Sequence, residues 1–271
     1  MKTLLGTALL LAWAAASAQT TINIPADQPT IQAGIDAAVD GDTVLVASGT
    51  YFENIDFHGK LIKVTSSDGP KATIIDGGQI APVATFSSGE GRNAILMGFT
   101  LTHGFAPSAG GGISISGSSP SIVNNTITQN SACSQGGGIF AIASAPLIVG
   151  NVISRNFQQG CTGGQGGGIM VENGAAGLQI IGNRILSNIW GEGAGMEIRA
   201  FGNTLIESNI ILSNIARGES PSRGGGMVLQ VNSLNVLAVE NVFAANQADQ
   251  GAGIYWKIAS GTTPAMLNNT A

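Results

Sequence analysis

Three glycines followed at once by an apolar, strand-like run, as in SQGGGIFAIASAPLIVGNVISRN (134–156), recur along this chain. The glycine runs end at Gly112, Gly138, Gly168, Gly195, Gly226 and Gly253, at intervals of 26, 30, 27, 31 and 27 residues. A second mark keeps the same beat: Asn125, Asn151, Asn183, Asn209, Asn241 and Asn269, with a further Asn five residues after each of the first five. Self-similarity at 20–50 residues is the signature of a stacked-repeat architecture, in which one unit cannot bury its own apolar face.

The repeats are not helical. Their apolar runs are short, β-branched and bounded by Gly, Asn, Ser and Pro, which are strand and turn signals. After each glycine run the first position is Ile113, Ile139, Ile169, Met196, Met227 or Ile254, and the third is Ile115, Ala141, Val171, Ile198, Leu229 or Trp256. Side chains two apart on a strand share a face, so these residues are expected to stack inward, coil on coil. A further inward column is Ile122, Ile148, Ile180, Ile206 and Ala238. The expected fold is all-β, a right-handed parallel β-helix. Gly at the corners accepts positive φ and brings no Cβ to the neighbouring coil. Asn tolerates the left-handed region, and its amide can bond the same amide one coil away. These columns are read as scaffold chemistry rather than as a ligand ladder.

Together, the glycine runs and the I/F-x-x-N segments (ITQN 127–130, ISRN 153–156, FAAN 243–246) resemble the right-handed β-helix proteins of the pectate-lyase-like superfamily. They are also similar to the repeats of bacterial polymorphic outer-membrane proteins. The resemblance covers roughly residues 95–271 and implies the fold more strongly than an activity.

The chain opens MKTLLGTALLLAWAAASAQT, with a positive residue, an apolar stretch too short to span a bilayer, and Ala16-Ser17-Ala18. Residues 1–18 read as a secretory signal peptide and 19–271 as one β-helix domain. The mature chain is expected to be exported, secreted or held at the bacterial cell envelope, and not membrane-spanning. In PTIQAGIDAAVDGDTVLVASGTYFENI (29–55), Thr30 is a helix N-cap, and Ile31, Ile35, Ala38 and Val39 share one helical face. Gly41 is expected to end this short helix, which would plug the first coil, and Val44 to begin the first strand. At the other end, PAMLNNTA repeats the start of PSIVNNTI, as though the chain were truncated within a coil.

Charged residues are only 10% and aromatics 5%, the formal net charge is −5, and no basic tract occurs. A nucleic-acid partner is therefore excluded. Cys133 and Cys161 lie 28 residues apart, about one coil, and form a disulfide candidate in an exported chain; two free thiols or half a metal site are the alternatives. GGQGGGIM (163–170) is similar to the glycine-rich calcium-binding nonapeptide, yet Gly168 stands where that motif has Asp. No Asp occurs between Asp76 and Asp249, so no metal site and no cofactor are expected. Tyr51 and Glu53 match an early motif of the pectin methylesterases, whose later catalytic segments QDTL and DFIFG are absent, as are the NTD and GHG segments of polygalacturonases. His58 and His103 are isolated and read as surface or turn residues.

The remaining chemistry lies at the second and fourth positions after each glycine run, which should face outward. They place Glu172, Glu197, Arg199, Gln230, Tyr255 and Lys257 on one flat face, whose default reading is a solvated sheet face with cross-strand ion pairs. Such a row of polar and aromatic groups suits carbohydrate or another cell-surface ligand. The expected function is a noncatalytic, secreted or cell-surface protein presenting a rigid face. The alternative is a polysaccharide lyase or glycoside hydrolase in which Glu197, with Arg199 or Lys257, handles the proton and the developing anion.

Overall fold

The computed structural model describes residues 18–200, 202–218, 220–231, 236–258 and 265–270; the expected signal segment lies outside them but for Ala18. The chain winds through four sheets in turn, and all strand pairs are parallel, as a β-helix requires. Sheet 1 has ten strands, from Thr21–Ile24 to Ala265–Leu267. Sheet 2, between the two asparagine columns, has eight, from Gly49–Phe52 to Val242–Ala244. Sheet 3 is a strip of five two-residue strands, Phe105–Ala106 to Ile215–Ala216. Sheet 4, which follows the glycine runs, has eight, from Ile55–Asp56 to Ile254–Ile258.

Register follows the repeat. Ile113, Ile139, Ile169, Met196, Met227 and Ile254 are direct neighbours in sheet 4, and the first five have no solvent exposure. The Ile122 column is equally buried. The last glycine of each run is required by close approach: a Cβ on Gly138 would sit 2.4 Å from the carbonyl oxygen of Gly168. The first glycine supplies the bend, with φ 58° at Gly136. A small second core of Ala106, Ala132, Trp190, Ala194 and Ala216 fills the space between sheet 3 and the glycine turns.

The asparagines stack as amide ladders. In one, the backbone N–H of Asn125, Asn151, Asn183, Asn209 and Asn241 donates to the next coil's Oδ1 at 2.9–3.0 Å. Asn130, Asn156, Asn188 and Asn214 do the same at 3.0 Å. The left-handed conformation expected of these asparagines belongs instead to the residue before each, such as Asn124, Arg155, Ser187 or Ser213. The bend is made there, which leaves the ladder amide free to point into the stack.

The N-terminal plug differs from its expected form in three ways. A strand, Thr21–Ile24, precedes the helix and pairs with Thr43–Val46. The helix is Ile31–Ala37, closed by Ala38 rather than Gly41. Val39 lies beyond it and is 55% exposed, whereas Ile31 and Ile35 are fully buried. Both ends of the helix are fastened by side chains. Thr30 caps the Ala33 N–H, and the Glu53 carboxylate accepts from the Ile31 and Gln32 N–H groups at 2.9 Å. Lys60 Nζ donates to the carbonyls of Ile35, Asp36 and Ala38 at 2.6–2.8 Å. Carboxylate at the N-terminus and ammonium at the C-terminus complement the helix dipole.

Candidate functional site

The strands Ile169–Gly174, Met196–Ala200, Met227–Val231 and Ile254–Ile258 lie side by side in sheet 4. Register places Arg199, Gln230 and Lys257 in one column and Glu197, Val228 and Tyr255 in the next. A register shift between Val171 and Gly174 lies beside Glu172. The six residues expected on one face do come together and form cross-strand ion pairs, but Glu197 is fully buried while the other five are half-buried. The turn before each strand folds back over the second position after the glycine run, the first outward one: a Cβ on Gly193 would meet the Glu197 Cβ at 2.8 Å, and one on Gly136 would meet the Phe140 Cβ at the same distance. Met170, Glu197 and Val228 are consequently fully buried.

Glu197 is thus a carboxylate beneath a turn. Its Oε1 accepts from Arg199 Nε at 3.0 Å and lies 2.9 Å from Arg199 Nη2, with Lys257 Nζ at 3.9 Å. Its Oε2 has no hydrogen-bond partner among the described residues. Burial raises its pKa above the ordinary carboxylate value, and the attraction of Arg199 and Lys257 only partly opposes this. Arg199 Nη1 also lies 3.5 Å from Glu172 Oε1, and Glu172 Oε2 accepts from Gln135 Nε2 at 3.1 Å.

The covering turn brings a second carboxylate. Glu192 Oε1 accepts from Arg223 Nη1 at 2.9 Å, and its Oε2 accepts from Lys257 Nζ at 2.7 Å. Burial pushes the Glu192 pKa up, but those two cations together more than cancel it and the net shift is downward. The Arg223 guanidinium lies 5.4 Å from the centre of the Tyr255 ring, within cation–π range. Gln230 stands half-buried between Arg199 and Lys257.

Glu192, Arg223, Gln135 and Gln165 escaped the sequence reading, although a signal for them exists. Each stands three residues before the last glycine of its run, and the series continues at Gln250. In the structure this position forms its own ladder, Ala109 to Gln135 to Gln165 to Glu192, and Arg223 to Gln250. Only its column-by-column alignment reveals that the turn carries polar groups back over the strand.

Elsewhere, Cys133 and Cys161 are joined by a disulfide with Cα atoms 5.1 Å apart. His58 and His103 both occupy left-handed turn positions, and His103 Nδ1 lies 2.8 Å from Asp76 Oδ2. Tyr51 donates to the Ala47 carbonyl and Glu53 caps the helix, so both have structural partners. Among the described residues no cluster of His, Cys, Asp and Glu is placed to hold a metal, and no helix is long and apolar enough to cross a membrane.

A family model described as the right handed beta helix region matches residues 84–271. Among solved structures, the crystal structure of pectate lyase Pel9A aligns at 13% identity with a TM-score of 0.40, covering 88% of this chain and 72% of that one. No curated protein matches the chain.

Proposed function

The chain belongs to the right-handed β-helix family, and on that scaffold we propose a noncatalytic role: an exported protein, secreted or held at the cell envelope, that presents a rigid surface to carbohydrate or to another cell-surface ligand. The observation that carries this reading is the locking of the sheet 4 charges to one another. Glu172, Arg199, Glu197, Lys257, Glu192 and Arg223 form one chain of ion pairs across neighbouring coils. Groups so held keep the surface in a single arrangement, and preorganisation favours binding by lowering the ordering cost on association.

The rival reading is a polysaccharide lyase or glycoside hydrolase. It draws on the opposite pKa shifts of Glu197 and Glu192, since environments that drive two carboxylates apart are how acid and base roles are divided. Against it, a catalytic acid must reach the substrate within hydrogen-bond distance, and Glu197 is covered by its turn. Affinity electrophoresis on a panel of acidic and neutral polysaccharides, run alongside reducing-end and unsaturated-product assays, separates the two. Retardation without turnover is the expected result. Turnover abolished by Glu197→Gln would establish the enzyme, and a panel with neither retardation nor turnover would end the binding role.

A further inference from the structure

The distance from the second ladder asparagine to the last glycine of its run alternates along the chain. It is eight residues from Asn130 to Gly138, twelve from Asn156, seven from Asn188, twelve from Asn214 and seven from Asn246. Two long excursions therefore flank the short turn of the coil between them, and the step leaves a groove. Its cavity is about 570 Å³, with Ile189 and Trp190 from the short coil, Phe157 and Cys161 from one flank, and Arg217 and Gly218 from the other. The Cys133–Cys161 disulfide ties the first flank to the coil before it.

Among the described residues, the groove's charge is out of keeping with the molecule. The chain carries a formal net charge of −5 and six arginines. Arg92 is bonded to the Ala145 and Gly177 carbonyls and to Gln179, Arg199 and Arg223 are held by carboxylates, and Arg184 is exposed on sheet 2, outside the groove. Arg155 and Arg217 both line the groove, both are exposed, and neither makes a side-chain hydrogen bond or ion pair among the described residues. No described acidic residue lines it. Between the arginines Phe157 is 38% exposed beside half-buried Ile189. Guanidinium forks suit carboxylate or sulfate, and an apolar floor with a few placed polar groups suits a ring.

We propose that this groove binds an anionic glycan, its sugar rings on Phe157 and Ile189 and its carboxylate or sulfate groups on Arg155 and Arg217. The site deepens the binding role proposed above and rests on it, but moves it from sheet 4 to sheet 3. A peptide is the poorer occupant, because the Phe157 strand is already paired on both sides, with Ser131 and Ile189, and offers no free edge for strand addition. The ladder residues that follow Arg155 and the second of those before Arg217 lie two coils apart, about 10 Å along the axis. The two arginines therefore suit anions on separate sugar units.

The test uses substitutions that the protein itself makes. Ser187 and Ser213 occupy the positions equivalent to Arg155 with the same left-handed backbone, φ 54° and 56° against 56°. Gln159 occupies the position equivalent to Arg217, each donating its N–H to the strand of the preceding coil. Calorimetric titration of the full chain would compare hexagalacturonate, sulfated dextran oligomers, maltohexaose and hexaglutamate. Binding of the carboxylated or the sulfated oligomer is expected, with the two arms identifying the anion, and maltohexaose and hexaglutamate should bind at least roughly tenfold more weakly. Arg155→Ser and Arg217→Gln should each weaken the anionic oligomer about tenfold and together abolish its binding, with thermal unfolding unchanged. Failure of both anionic oligomers to bind, equal affinity for maltohexaose or hexaglutamate, or unchanged affinity in the double variant would overturn the proposal. If the groove fails while the polysaccharide panel still shows retardation, the binding role stands at another face. If the panel is also blank, both fall.

Discussion

In the asparagine columns the same amide returns at every coil and its Oδ1 accepts the preceding coil's backbone N–H at 2.9–3.0 Å, whereas in the ion-pair cluster spanning residues 172–257 the residue changes from coil to coil and one oxygen of Glu197 meets no partner among the described residues. The contrast has a chemical origin. An amide is donor and acceptor at once, so identical residues stacked at one-coil spacing satisfy each other. A carboxylate only accepts, and like charges repel, so a charged column must alternate with cations. Here the fourth outward column reads Ile142, Glu172, Arg199, Gln230, Lys257, and the turn column reads Gln135, Gln165, Glu192, Arg223, Gln250. Neither alternates strictly: Arg199 meets Glu172 and Arg223 meets Glu192 within a column, and Lys257 reaches Glu192 diagonally between the two. A repeated neutral amide thus makes a stable spine, and a charged patch assembled from unlike residues makes a surface particular to one part of the solenoid.

If that comparison is right, the largest loss follows from breaking the spine. Asn188 accepts from the Asn156 N–H and amide at 3.0 Å and donates to the Ile153 carbonyl and the Asn214 Oδ1. Asn188→Ala strands the buried Asn156 N–H and opens a cavity, for a cost of about 4 kcal/mol. The urea midpoint of the purified chain should fall accordingly. Asn246, less buried and with fewer ladder bonds, should cost less when truncated. Equal losses at the two sites would deny the ladder its cooperativity.

The next effect comes from the cluster. Glu192→Ala leaves Arg223 and Lys257 facing each other without their carboxylate. Those two heads are partly exposed, so the loss should be about 2 kcal/mol, below that of a fully buried pair. The sign of its pH dependence is fixed by the depressed pKa of Glu192. The native state releases this proton more readily than the unfolded chain, so the stabilisation is present above the ordinary carboxylate value and disappears as pH falls through the depressed one. Denaturant melts of wild type and Glu192→Gln should therefore converge in acid. Divergence there would mean that the ion pairs do not hold the turn.

The spine was legible from sequence and the cluster only in part, for the same chemical reason. The Ile139 and Ile122 columns, the glycine corners and the amide stack each repeat one residue type at one spacing, and the eye finds repetition. Glu197 was placed on the right strand and face by the period of two. Its burial depends on Gly193 and Glu192 folding over it, a tertiary contact that alternation on a strand cannot encode. The Thr21–Ile24 strand was hidden for another reason: it precedes the helix and has no repeat partner upstream. Val39 fits the helical face by spacing alone, yet the backbone leaves the helix at Ala38 before that spacing applies.

The smallest effect, and the sharpest test of the comparison, is Glu197→Gln. Burial raises this pKa, so the native state binds the proton more tightly than the unfolded chain does. Stability is therefore fully present below the ordinary carboxylate value and declines as pH rises through the raised one, the reverse of Glu192. Gln keeps the shape, can still accept from Arg199, and removes the cost of a buried charge whose Oε2 is unmatched. The variant should be within about 1 kcal/mol of wild type and should gain on it as pH rises. A variant that instead loses ground with rising pH would show that Arg199 and Lys257 stabilise the ionised form by more than burial disfavours it. Glu197 would then belong with Glu192 as a matched partner, and the distinction between a self-satisfied spine and an imperfect charged patch would fail at the residue that defines it.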